Sequence, residues 1–199
     1  YEEAIIGLAA KGTTVYPQQL GVACSWNPEL ATVNTEQTAE VMRSVGATLA
    51  LSPMVDLIRT AYWPRIEESY GEDGYLSPAM GVAFIEGLQK NGLKDGVAAC
   101  TKHFWGYGGG SSLTWKEIFE EVLMLHEAMI RLADCKVLMT SYGRFRSEQA
   151  VSSDTLLNKI LRGYLEFDGL VVGDYGAVEH SSQKGNPEIL KQRAIEALV

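Results

Sequence analysis

A chain of 199 residues is long enough for one domain with a substantial core. With 46% hydrophobic and 21% charged residues it has the balance of a soluble globular protein, and no apolar run is long enough to span a bilayer, so no membrane partner is expected. The net charge is −8, from 17 Lys plus Arg against 25 Asp plus Glu, and the nearest thing to a basic cluster is Arg144 with Arg146, which argues against a nucleic-acid partner.

Taken along the chain, a first strand is possible between Tyr1 and Val15. Val41, Met42, Val45 and Leu49 then form one apolar helical face. It runs into the apolar segment Ala47 to Leu51, too short for a helix and nearly free of charge, which suits a strand buried on both faces. Leu76, Met80, Ala83, Phe84 and Leu88 mark a second helix, followed by a second such run from Gly96 to Cys100. The clearest helix places Trp115, Ile118, Phe119, Val122, Leu125 and Met129 on one side, with Thr114 as cap and Glu117 completing a capping box. Lys136 to Thr140 is the third strand run, and Leu156, Leu157, Ile160, Leu161 and Tyr164 give a fourth helix. Gly169 to Gly173 is the fourth strand run. A last helix carries Ile189, Leu190, Ala194, Ile195 and Leu198, opened by Asn186 as cap and Pro187 in its first turn.

This alternation predicts an α/β fold with a parallel sheet, either doubly wound or a barrel. Polar clusters follow each strand run: Asp56 to Arg65, then Lys102 and His103, then Ser141 and Tyr142, then Asp174. Both architectures gather function at the C-terminal ends of strands, but a barrel draws many strands onto one centre, which suits the spread better. The expected fold is therefore a parallel (β/α) barrel of TIM type. It is incomplete in this chain, because a full barrel needs ~250 residues.

Asp174 closes an apolar run in GLVVGDYGAV, where Gly173 and Gly176 let a ligand approach the backbone. It can serve as nucleophile, general base or metal ligand, or simply cap the next helix. Lys102 and His103 lead into the glycine-rich stretch FWGYGGG, and both can donate to a ligand's hydroxyls or hold a carboxylate ionised. That stretch lacks the Lys-Ser/Thr ending of a phosphate loop, and the dinucleotide spacing fails at Ser111. Arg65 has Glu67 and Glu68 nearby to fix its guanidinium, or else lies in a solvated loop.

Cys24, Cys100 and Cys135 are odd in number and widely spaced, which argues against a disulfide framework or a CxxC metal site; each is expected as a buried thiol. His126-Glu127 lacks the second His of HExxH, and no GxSxG elbow is present, so no metal or cofactor is expected. His126 reads as exposed or as a hydrogen-bonded core residue, and His180 as a surface-loop residue.

Together the segments EEAIIGL, TTVYPQQLGVACSWNPEL, LSPMVDLIRTAYWPRIEESYGEDGYL, TKHFWGYGGG, LMTSYG and LLNKILRGYLEFDGLVVGDYGAV resemble glycoside hydrolase family 3, in the family's order and over most of Tyr1 to Val178. The resemblance implies a retaining exo-acting β-glycosidase with Asp174 as nucleophile. It implies sugar contacts at Glu3, Arg65, Lys102, His103, Tyr142 and Tyr175, with Tyr175 in place of an aromatic residue that is usually Trp. Trp63 and Trp105 lie next to the candidate site residues and can stack on a sugar ring, while the tryptophans otherwise read as core. Glu3 in a position that tends to be Asp in β-glucosidases and Glu in β-xylosidases favours a pentose.

The substrate implied is an oligosaccharide or β-glycoside ending in xylose or glucose, handled without cofactor. Residues 1–199 would be part of one barrel, with N-terminal strands and a following α/β sandwich domain outside it. A missing domain or second chain would supply the acid/base, for which no residue here matches. The alternative is a sugar-binding barrel without turnover. The resemblance suggests a secreted or periplasmic setting; the sequence itself, which begins at Tyr1 and shows no signal peptide, gives no compartment. Departures from the family's pattern are Ile6 for a usual His, Tyr62 and Pro64 in the loop before Arg65, Gly143 after SY, and Gly173 for the Ser before the nucleophile.

Overall fold

Asn27 opens the first long helix by accepting a hydrogen bond from the Glu29 amide at 3.1 Å, with Pro28 preset in the first turn. The computed structural model describes residues 1–106, 113–146, 148–180 and 187–196. A short α1 (Gln19–Ala23) leads to this α2 (Pro28–Ser44), then come β1 (Leu49–Ala50) and α3 (Leu76–Gln89). β2 (Ala98–Phe104) precedes α4 (Trp115–Glu117), which widens to π-helical turns over Ile118–Leu123 and continues as α5 (Met124–Arg131). β3 (Val137–Thr140) is followed by a small antiparallel hairpin of β4 (Arg144–Phe145) and β5 (Glu148–Gln149), then a wide helix over Thr155–Tyr164. β6 (Leu170–Gly173), α6 (Ala177–His180) and α7 (Pro187–Glu196) complete the described chain.

The sheet runs in the order β1, β2, β3, β6, every pair parallel, with Leu49 beside Ala98, Cys100 beside Val137, and Val137 beside Leu170. Successive parallel strands lie side by side with no reversal of order. A doubly wound sheet reverses at its switch point and a barrel does not, so this is a segment of a TIM-type (β/α) barrel. The segment expected as a strand near Tyr1 makes only isolated bridges, among them Glu2 to Ala50, and lies along the outer edge of β1. It is held there by Glu2 N–H donating to the Leu49 carbonyl at 3.0 Å and Leu51 N–H donating to the Glu2 carbonyl at 2.8 Å.

One face of the sheet gathers Leu51, Cys100, Val137 and Met139 with Leu49, Ala98 and Val172. The other packs helices over Ala50, Val97, Ala99 and Leu138. The apolar runs of the first three strands thus follow from burial on both faces. β6 differs, with Leu170 57% exposed, because the described residues put no strand on its far side.

Two boundaries depart from expectation. α2 begins well before Val41, since its core contacts are the small residues Ala31, Thr35, Thr38 and Ala39, which carry little hydrophobic signal. They are small because α3 lies against them: a side-chain carbon added at Gly87 would meet Thr35 Oγ1 and the Thr32 backbone. β2 runs to Phe104 rather than stopping at Cys100, so Lys102 and His103 belong to the strand itself. Polar side chains can finish a buried strand when partners meet them, and here they do. The β2–β3 register shifts between Lys102 and Phe104, and the peptide bonds Lys102–His103 and Phe104–Trp105 are cis.

The capping box at Thr114 is present in full, with Thr114 N–H donating to Glu117 and Glu117 N–H donating to the Thr114 hydroxyl. On that helix Ile118, Val122, Leu125 and Met129 form the core stripe, while Trp115 and Phe119 flank it half-exposed. Asn186, the expected cap of α7, lies outside the described residues. Of the tryptophans, Trp63 and Trp105 are buried, whereas Trp26 and Trp115 are exposed. Cys100 and Cys135 are buried thiols, but Cys24 is exposed at the end of a five-residue helix that covers only Gln19 and Ala23. His180 ends α6 rather than lying in a loop.

Candidate active site

β6 delivers Asp174 to the C-terminal edge of the sheet, and its amide donates to the Thr140 carbonyl at the end of β3 at 3.2 Å. The side chain is 9% exposed. Its two oxygens have different surroundings. Oδ1 accepts the Tyr175 amide at 2.7 Å, while Oδ2 is buried and has no hydrogen-bond partner among the described residues. His103 Nε2 stands 3.4 Å from Oδ2 but outside hydrogen-bonding geometry. A buried carboxylate oxygen without a donor is costly, and such orphans concentrate where a ligand completes the set.

His103 is wholly buried and anchored from the other side. Asp56 Oδ2 accepts both its backbone N–H, at 3.1 Å, and its Nδ1, at 2.7 Å. Nε2 then faces Arg65 Nη1 at 3.4 Å as well as Asp174. Arg65 is clamped in a fork by Glu68, with Nε to Oε1 at 2.9 Å and Nη2 to Oε2 at 2.5 Å. Those bonds raise the guanidinium above its ordinary value against the opposing effect of burial, and the charges of Asp174 and Asp56 add to it. Of the two carboxylates that the sequence offered to Arg65, Glu68 is the one engaged.

Lys102 is 2% exposed, and its ammonium meets Glu3 Oε2 at 2.5 Å; Glu3 itself is half-open to solvent. A buried ammonium needs such a partner, and an open carboxylate remains available to a ligand. Tyr142 donates its hydroxyl to the Tyr175 carbonyl at 2.6 Å, tying the loops after β3 and β6 together. The Tyr175 ring is exposed and lies 6.4 Å from that of Tyr1. Partial burial and the hydrogen bond with Tyr1 push its phenol up to about 12, and the charges of Glu3 and Asp174 add to this.

His103 Nε2 thus stands 3.4 Å from both Arg65 Nη1 and Asp174 Oδ2, with Lys102 and its partner Glu3 next to it in β2 and Tyr175 next to Asp174. Trp105 is elsewhere: it packs edge-on against Phe145 at 4.8 Å inside the helix-side core, where no ligand ring can stack on it. His126 is a core residue behind the site, edge-on to Phe104 at 5.1 Å. Sequence reasoning assigned Asp56 no role. Its signal was there, since LSPMVD ends an apolar stretch in a carboxylate as GLVVGD does. Of the glycine-rich stretch, residues 107–112 lie outside the described residues. Among the described residues no group of three or more His, Cys, Asp or Glu is arranged to hold a metal ion.

Parallel strands in barrel order, with a buried carboxylate at the end of β6 and the buried Lys102 and His103 at the end of β2, define a TIM-type barrel segment with a polar site at its C-terminal edge. The chain belongs to glycosyl hydrolase family 3: residues 2–199 match the Glycosyl hydrolase family 3 N terminal domain. It is similar to a β-xylosidase from Formosa agariphila, 39% identical over 87% of this chain and 27% of that protein. A β-glucosidase from Bacteroides ovatus, BoGH3A, is 33% identical over 82% of the chain and 22% of its own length. Among solved structures, a mutant β-glucosidase from Listeria innocua in complex with laminaribiose superposes with a TM-score of 0.88 at 31% identity, over 99% of this chain and 29% of that one. The chain spans about a quarter of the length of these curated relatives.

Proposed function

We propose that the whole protein is a retaining exo-β-glycosidase that releases terminal β-linked xylose or glucose through a covalent glycosyl-Asp174 intermediate. Asp174 carries the reading, because its two oxygens are prepared for different tasks. Oδ1 is fixed by the Tyr175 amide, which holds the carboxylate plane, and the buried Oδ2 is left with lone pairs uncommitted. In the first displacement Oδ2 forms a bond to the anomeric carbon while the glycosidic bond breaks and its oxygen takes a proton from a general acid. In the second, water attacks the same carbon, gives its proton to that residue and frees the carboxylate. The acid/base would stand ~5 Å from Asp174. We assign it to sequence outside these 199 residues, because nothing in the chain resembles the family's acid/base segment and the matched relatives are far longer. On this reading residues 1–199 are one part of a single barrel, completed by strands and a sandwich domain from elsewhere.

Lys102, His103 and Arg65 would hold hydroxyls of the non-reducing sugar, with Tyr175 and Tyr142 shaping the wall beside the nucleophile. Glu3 would take the outer hydroxyls, and its length, like the similarity to a β-xylosidase, favours the pentose.

Trapping the full-length protein with 2-fluoro glycosides of xylose and of glucose, followed by peptide mass mapping, tests all of this together. The label is expected on the peptide containing Asp174, faster from the xyloside. A label on another carboxylate removes the nucleophile assignment, and sugar binding with no label or turnover favours a binding barrel.

A further inference from the structure

We infer that Asp56 is the positioning residue that fixes which nitrogen His103 presents to the site. Asp56 reaches it because residues 54–56 run beside β2: Met54 bridges to Lys102, and Val55 N–H donates to the Lys102 carbonyl at 2.9 Å. One oxygen of Asp56 then receives both donors of a residue 47 positions away, the main-chain N–H and ring Nδ1 of His103. Both side chains are 1% exposed, so no solvent competes for these bonds.

A carboxylate oxygen 2.7 Å from Nδ1 is compatible only with a proton on Nδ1, since two lone pairs at that distance repel. Nε2 is therefore the nitrogen facing Arg65 Nη1 and Asp174 Oδ2. In the neutral ring it offers a lone pair to Arg65 or to a ligand hydroxyl; in the charged ring it donates towards Asp174. Without Asp56 the ring can rotate or take the opposite tautomer, and Nε2 is no longer held facing Arg65 and Oδ2. The effect on turnover rests on the glycosidase reading above; the state of the ring does not.

The test uses the full-length protein with nitrogen-15 histidine. The His103 signals are assigned by their loss in His103→Gln. A proton on Nδ1 is expected, and a bare Nδ1 in the wild-type protein overturns the proposal whether or not Asp56→Asn folds or any glycoside is cleaved. Kinetics give the second measurement. Asp56→Asn is expected to lower kcat/KM by about 10–100-fold, as loss of an orienting partner commonly does. In a His103→Gln background the same change should cost little, because the effect travels through the ring. Equal losses in both backgrounds would assign Asp56 a merely structural part. If wild-type protein cleaves no β-glycoside, the functional reading fails while the nitrogen-15 result still decides this one.

Discussion

Asp174 gives one oxygen to a backbone amide and buries the other without a donor, so on the proposed reading replacing it removes the attacking atom and leaves the surrounding donors in place. Asp174→Ala in the full-length enzyme is expected to lower kcat by about 10⁴-fold or more, as removal of a nucleophile does elsewhere. Aryl β-xyloside turnover measures it, and near-wild-type rates would reject the role. His126 sets a different residue-scale expectation. Complete burial pushes its imidazole down to about 4, with the charge of Asp56 acting in the opposite direction. Between the unfolded value of ~6.5 and that folded value, the unfolded chain binds a proton that the folded chain refuses. The contribution to stability is therefore full above ~6.5 and is lost as the pH falls towards 4, by up to ~3 kcal/mol. His126→Leu should flatten this part of the profile: the melting-temperature gap between wild type and variant should move in the variant's favour from pH 7 to pH 5. A constant gap would contradict it.

At this scale the sequence exposes residues whose chemistry breaks a pattern. Asp174, Lys102 and His103 were visible as polar groups at the end of apolar runs, and the structure places them close together. Asp56 carried the same mark, yet its task depends on a partner 47 positions away, which no local pattern records. Trp105 illustrates the reverse. Adjacency in sequence put it beside the site, while packing against Phe145 turned it into the core.

Gln89 joins three elements. At the end of α3, its amide donates to the carbonyls of Ala133 and Asp134, and its oxygen accepts the amides of Ala99 in β2 and Lys136 before β3. Each is a main-chain group, mostly buried, that regular structure has left over. Gln89→Met keeps the volume and abandons them all, at ~1–3 kcal/mol for each group left buried without a partner. A loss of at least ~3 kcal/mol is expected in urea unfolding, and a loss under ~1 kcal/mol would mean that the loops re-pair their own groups. The sequence reading missed this residue because a glutamine near a helix end looks like an exposed one. It succeeded with the capping box at Thr114, where both partners lie within four residues. It also succeeded with the strand runs of β1 to β3, whose burial on both faces leaves a direct compositional trace.

For the molecule as a whole, the class followed from alternation of helix and strand and the barrel from the spread of polar clusters over several strand ends, and the order of the strands agrees with both. Sequence placed the polar clusters after successive strands, and only the parallel pairing of β1, β2, β3 and β6 put them along one edge. The entry segment remained illegible for a physical reason. Residues 1–16 form no regular element, and they hold their course through scattered bonds such as Tyr16 N–H to the Ile6 carbonyl at 2.9 Å.

That loosely tied segment carries Glu3, whose ion pair with Lys102 closes a separation of 99 residues. Local opening is cheap where contacts are few, and a ligand that engages only the closed form suppresses it by mass action. Occupancy of the proposed site should therefore be legible to a protease. Trypsin is expected to cut after the exposed Lys11 in the resting protein, and, if Glu3 holds the sugar as proposed, tenfold or more slowly once the 2-fluoro sugar is bound. Identical digestion rates would mean that the entry segment is indifferent to what lies behind it.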